Sequence, residues 1–69
     1  MKEKIIKIAS EVFGCEISKD SKIGDPENWD SLGQLNLFMA IENELNQKFN
    51  PDDIIKSDSI EKIVTLVEK

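Results

Sequence analysis

Apolar residues in this chain recur at three- and four-residue intervals, and no segment alternates with period two for long enough to make a strand. That restricts the fold to packed helices. Ile5, Ile6, Ile8, Ala9, Val12 and Phe13 predict a first helix over residues 2–13, and Gly14 stands where a left-handed terminator belongs. Residues 14–29 carry Gly14, Ser18, Ser21, Gly24 and Pro26 and show no sustained period, so they form a long loop, with Ile17 and Ile23 expected to pin it to the helices. A second helix is predicted from Ser31 to about Gln47, capped by Asp30. Asn50-Pro51-Asp52-Asp53 starts a third helix of only a turn or two. Asp58 and Glu61 form a capping-box pattern ahead of Ile60, Ile63, Val64 and Val67, the core stripe of a fourth. The expected fold is all-α: a small four-helix bundle with three longer helices, a short third one and a long loop between the first two.

Sixty-nine residues suffice for one domain, expected to span residues 1–69. A single cysteine, Cys15, cannot form an internal disulfide, so packing alone must hold the bundle. With no basic-then-apolar leader and no apolar run of membrane-spanning length, a cytoplasmic protein without membrane insertion is expected. Net charge is −5, and it is local: residues 26–69 hold four lysines against nine acids, while residues 1–25 balance five against five. Phosphate backbones would be repelled by the later segment, which argues against nucleic-acid binding, and basic protein surfaces would be attracted.

The second helix is more apolar than its place requires. At roughly 100° per residue, Leu37, Phe38, Ile41 and Leu45 fall on one side, with Phe49 joining if the end turn reaches it. Leu32, Leu35 and Met39 carry the apolar arc onward, and Gly33, Asn36, Asn43, Glu44 and Gln47 mark the solvated side. Such an arc exceeds the stripe a surface helix needs. Leu37, Phe38, Ile41 and Leu45 are therefore assigned to the core, and Leu35, Met39 and Glu42 to an exposed, partner-facing edge, because a charged side chain is rarely buried alone. Coverage of Leu35 and Met39 by a neighbouring helix is the alternative.

The segment Asn28-Trp29-Asp30-Ser31-Leu32-Gly33 opens the second helix, and here the chain resembles the acyl carrier proteins. The likeness extends over the chain length, the isoleucine-rich first helix, the long loop, Met39-Ala40-Ile41-Glu42-Asn43-Glu44-Leu45, the short Pro51-Asp52-Asp53-Ile54 helix and the closing Ser59-Ile60 helix. It implies that Ser31 carries covalent 4′-phosphopantetheine, whose thiol bears an acyl group as a thioester, and that the protein has no catalytic group of its own. It further implies a phosphopantetheinyl transferase and acyl-loading and acyl-transferring enzymes with basic docking surfaces as partners, met through Asp30, Leu35, Met39 and Glu42 by a monomer. Carriers of general fatty-acid synthesis usually place an acid directly after Asp-Ser-Leu. Here Gly33, Gln34 and Asn36 stand instead, and Asn43 separates Glu42 from Glu44, so the resemblance leans to discrete carriers of specialised pathways.

The competing reading is an unmodified helical interaction module that docks through the second helix. Enzymatic readings are weaker: the chain has no histidine, and no carboxylate pair is placed for hydrolysis. Cys15 has no basic residue closer than Lys19 to activate its thiol and is expected to be semi-buried. Trp29 is expected to pack the loop against the second helix. Asp52, Asp53 and Asp58 lack the alternation and glycine of a calcium loop, so no metal site is expected.

Overall fold

A computed structural model describes residues 1–68 and contains four helices: α1 (Lys2–Phe13), α2 (Ser31–Leu45), α3 (Pro51–Lys56) and α4 (Ile60–Val67). No strand occurs among the described residues. The all-α expectation holds, and so do the bounds of α1 and the start of α2. Gly14 ends α1 in the left-handed region at φ 65°, its N–H donating to the Ser10 carbonyl. α2 stops two residues short of the expected Gln47, because Asn46 turns left-handed at φ 53° and donates its N–H to the Glu42 carbonyl. Asn is among the few non-glycine residues that enter this region at low cost.

α1 packs on α2 and α4, and α3 leans on α2. Their shared core contains Ile5, Ile8, Ala9 and Phe13 from α1, Leu37, Phe38 and Ile41 from α2, and Ile60, Ile63 and Val67 from α4. Ile17 and Trp29 enter it from the long loop. Leu45 is only partly buried at the margin, one turn beyond the core stripe on which its spacing places it. Phe49 reaches the core without help from the helix. Its ring meets Phe38 edge-on with centroids 5.7 Å apart.

Besides Ile17 and Trp29, hydrogen bonds fasten the loop. Ile23, expected to anchor it by burial, is exposed. Its N–H instead donates to the Asp58 carbonyl at 2.9 Å, while the Ile60 N–H donates to the Ser21 carbonyl at 3.0 Å. These two bonds tie the loop to the entrance of α4. Asn28 adds a third tie, donating its side-chain amide to the Phe13 carbonyl at 2.9 Å. Cys15 is exposed rather than semi-buried.

The start of α4 also differs from expectation. Ser59 is the cap, its Oγ accepting from the Lys62 N–H at 3.2 Å. Asp58 accepts from the Lys62 ammonium at 3.0 Å instead of capping. That hydrogen bond holds the Asp58 carboxyl below its ordinary pKa of 3.8. No helix of the described residues is long and apolar enough to cross a membrane.

Candidate functional site

The site is built where the long loop enters α2. Asp30 has extended backbone geometry, and its Oδ1 accepts from the Gly33 N–H at 2.8 Å, so one of the unpaired donors of the first turn is satisfied. Capping by Asp30 makes Ser31 the first helical residue, and its side chain is exposed. A hydroxyl there stands beside the remaining backbone N–H groups and the positive end of the helix dipole, an environment that favours an attached phosphodiester by about 0.3–1 kcal/mol. The first turn of α2 contains no acidic side chain to oppose it, the nearest being the capping Asp30 itself.

Two residues behind Ser31 lie deeper than their residue types suggest. Gly33, expected on the solvated side, is buried. It precedes Leu37 by four residues and therefore shares the core stripe. A Cβ at this position would lie 2.6 Å from the Asn28 carbonyl oxygen and 3.0 Å from the Phe13 ring. The position thus requires the absence of a side chain. Gly33→Ala should destabilise the fold by about 1–3 kcal/mol, the usual range for overpacking. Chemical denaturation of the pair would measure it, and an unchanged midpoint would show that the loop yields freely.

Gln34, one of the residues that stand where related carriers place acids, is only 6% exposed. Its Oε1 accepts from the Trp29 indole N–H at 2.7 Å. Its Nε2 donates to the carbonyls of Ile54 at 2.7 Å and Ser57 at 2.6 Å. These carbonyls lie at the C-terminal end of α3, where intrahelical donors run out. One side chain therefore joins the loop, α2 and α3. α3 has no fully buried residue of its own, so this joint is a principal restraint on it. Loss of the Gln34 amide would strand the Trp29 indole N–H and the Ser57 carbonyl at about 1–3 kcal/mol each, while the Ile54 carbonyl also accepts from the Ser57 N–H. A sequence signal was available: Gln34 stands three residues before Leu37 and four before Phe38, on the core stripe.

Trp29 packs as expected. Its ring is fully buried and stacks on Phe13 with centroids 5.3 Å apart. With Gly33 and Gln34 facing inward, Leu32 is turned out. It is 67% exposed and does not anchor the helix start. Leu35 (55%) and Met39 (66%) succeed it at helical spacing, and Ile55 on α3 is also exposed. Leu35 and Ile55 share a groove with Ser31, and Leu32 and Met39 lie exposed along α2. Glu42 is not a free acid at the rim of that surface. It is half-buried, and its carboxylate accepts from the Phe49 N–H at 2.9 Å, fixing the chain after α2. No grouping of side chains suited to a metal ion occurs among the described residues.

Comparison with protein families decides the class. A model described as the phosphopantetheine attachment site matches residues 3–67, nearly the whole chain. The chain belongs to this family. Its members are carriers without catalysis of their own, working with a phosphopantetheinyl transferase and biosynthetic enzymes, and their cofactor is 4′-phosphopantetheine held covalently on a serine. Neither the curated proteins nor the solved structures gave a match. In this carrier domain an exposed serine hydroxyl at a capped helix start fits such a group, since the backbone donors of the first turn would face the anion.

Proposed function

We propose that Ser31 is the serine that receives phosphopantetheine and that the carrier presents acyl thioesters to enzymes of a specialised pathway. The observation that carries this reading is the placement of the Ser31 hydroxyl. It is exposed on the first residue of a helix whose cap, Asp30, and inward neighbours, Gly33 and Gln34, fix its position. In the transfer step the Ser31 oxygen bonds to the phosphorus nearest the pantetheine of coenzyme A. The pyrophosphate bond breaks, adenosine 3′,5′-bisphosphate leaves, and the serine proton passes to a base of the transferase. Incubation with coenzyme A, magnesium and a phosphopantetheinyl transferase should add the mass of one phosphopantetheine group, and an unchanged intact mass would overturn the reading.

Partner enzymes meet the face formed by Leu32, Leu35 and Met39, with the exposed Asp30 at its start beside Ser31. The net charge of −5 draws basic surfaces toward it. Met39→Ala should change stability by no more than about 0.5 kcal/mol, as at other exposed positions. Leu37→Ala, at a fully buried site, should cost about 2–5 kcal/mol. Comparable losses from both would place Met39 in the core and remove it from the docking face.

Support for a specialised pathway comes from the residues directly after the serine motif. Gly33 and Gln34 serve packing and Asn36 is uncharged, so this turn offers no acid to a partner that reads charge. Acylation and elongation by the enzymes of general fatty-acid synthesis should be poor beside those enzymes' own carrier. Equal rates in a side-by-side loading assay would contradict the assignment.

A further inference from the structure

Asn28 joins the long loop to both α1 and α2 just before the chain reaches Ser31. Its side-chain amide donates to the Phe13 carbonyl at 2.9 Å, 15 residues back along the chain. Phe13 is the last residue of α1, where carbonyls find no donor within their own helix, so Asn28 caps α1 from the far end of the loop. The Asn28 carbonyl oxygen meanwhile lies against Gly33, 2.6 Å from where a Cβ would stand. Asn28 itself is exposed and takes no part in the core. We propose that Asn28 is a positioning residue for phosphopantetheine transfer: by fastening the last turn of the loop to the end of α1, it fixes the place of the Ser31 hydroxyl. The inference rests on attachment at Ser31 and goes beyond it by giving a role to a residue outside Asp30-Ser31-Leu32.

The last turn of the loop is closed by the Trp29 N–H donating to the Pro26 carbonyl at 3.0 Å, and Asn28 stands within it. Trp29 anchors this turn through its buried ring, stacked on Phe13. The backbone on either side can still pivot about that anchor. The bond from the Gly24 N–H to the Trp29 carbonyl stays inside the loop and moves with it, and the ties to α4 run through Ser21 and Ile23, further from the serine. The Asn28 amide on the Phe13 carbonyl is the bond that stops the pivot. Asp30 follows two residues on, with its carboxylate on the Gly33 N–H, and Ser31 comes next. Transfer needs the serine oxygen about 3–3.5 Å from the phosphorus and in line with the leaving group, and a misplacement of about 1 Å can cost on the order of a hundredfold in rate. Folding depends on the bond far less, because Asn28 is exposed and water can take the place of its amide.

The test uses the full chain with coenzyme A, magnesium and a phosphopantetheinyl transferase. Intact mass of the parent is read first, and absence of the adduct would overturn the attachment reading and this inference with it. Asn28→Ala and Asn28→Asp both remove the donor, the second with little change of shape, and circular dichroism establishes which of them is folded at the assay temperature. For a folded variant, kcat/KM for the carrier should fall about three- to tenfold, the factor to which the net worth of one hydrogen bond corresponds, while KM for coenzyme A stays the same. A residue serving stability alone would leave the efficiency of a folded variant equal to the parent's, and that result would overturn the proposal. Backbone chemical shifts of the free variants separate positioning from direct contact with the transferase. The amide signals of Ser31 and Gly33 should move together with those of Phe13 and Gly14. Changes confined to residues 13–14 and 27–29 would leave the serine in place and overturn the proposal, whatever the rate. Failure of both variants to fold would assign Asn28 to stability alone and overturn it likewise.

Discussion

Replacing Trp29 by alanine should destabilise the protein by about 3–5 kcal/mol, as for other large aromatic truncations in cores. At about 0.05–0.15 kcal/mol per residue, a chain of this length has about 3–10 kcal/mol in total, so toward the lower end of that range much of the population would be unfolded at room temperature. The reason lies in what the residue joins. Its ring stacks on Phe13 at the end of α1, and its N–H holds Gln34, which in turn holds α3. Loss of the indole therefore opens a cavity and strands a buried acceptor in one step. Trp29→Phe separates the two effects, keeping most of the ring and losing the hydrogen bond. It should cost about 1–3 kcal/mol, the penalty for an unsatisfied buried group. Far-UV circular dichroism on melting distinguishes them. A Trp29→Ala protein that melts within a few degrees of the parent would show that the loop is not part of the core.

The helices were legible because their signals are local. Gly14, Asp30 and the Asn50-Pro51 pair are terminator and cap residues whose geometry depends on adjacent backbone, and the structure places each in that role. Leu37, Phe38 and Ile41 were legible through period alone. What failed was the inference from residue type to exposure. Gly33 and Gln34 look solvated by residue type, whereas their position on the Leu37 stripe determines burial. Gly33 meets a carbonyl too close for any Cβ, and Gln34 finds three partners that only the folded chain brings together. Leu32 misleads for the same reason, since a leucine points outward once two neighbours occupy the inward side. Glu42 shows the opposite limit: its carboxylate bonds a backbone N–H seven residues on, a partner fixed by the Asn46 turn and not by helical spacing. The Ser31 position itself was legible, because both its exposure and its helix start derive from the Asp30 cap.

Ser31→Ala should abolish attachment and leave the fold nearly unchanged. Its side chain is exposed, and the cap that starts α2 belongs to Asp30, so alanine at this first helical position should shift stability by no more than about 0.5 kcal/mol. The effect on modification is all-or-none, because transfer requires an oxygen nucleophile at this place. Serine at a helix start is not by itself enough. Ser59 also begins a helix, but its Oγ is committed to the Lys62 N–H as the cap of α4. The most direct measurement is therefore the intact mass of the parent, Ser31→Ala and Ser59→Ala proteins after incubation with coenzyme A, magnesium and a phosphopantetheinyl transferase. The parent and Ser59→Ala should each gain one phosphopantetheine group while a folded Ser31→Ala gains none. An adduct on Ser31→Ala, or its loss in a folded Ser59→Ala, would contradict the assignment.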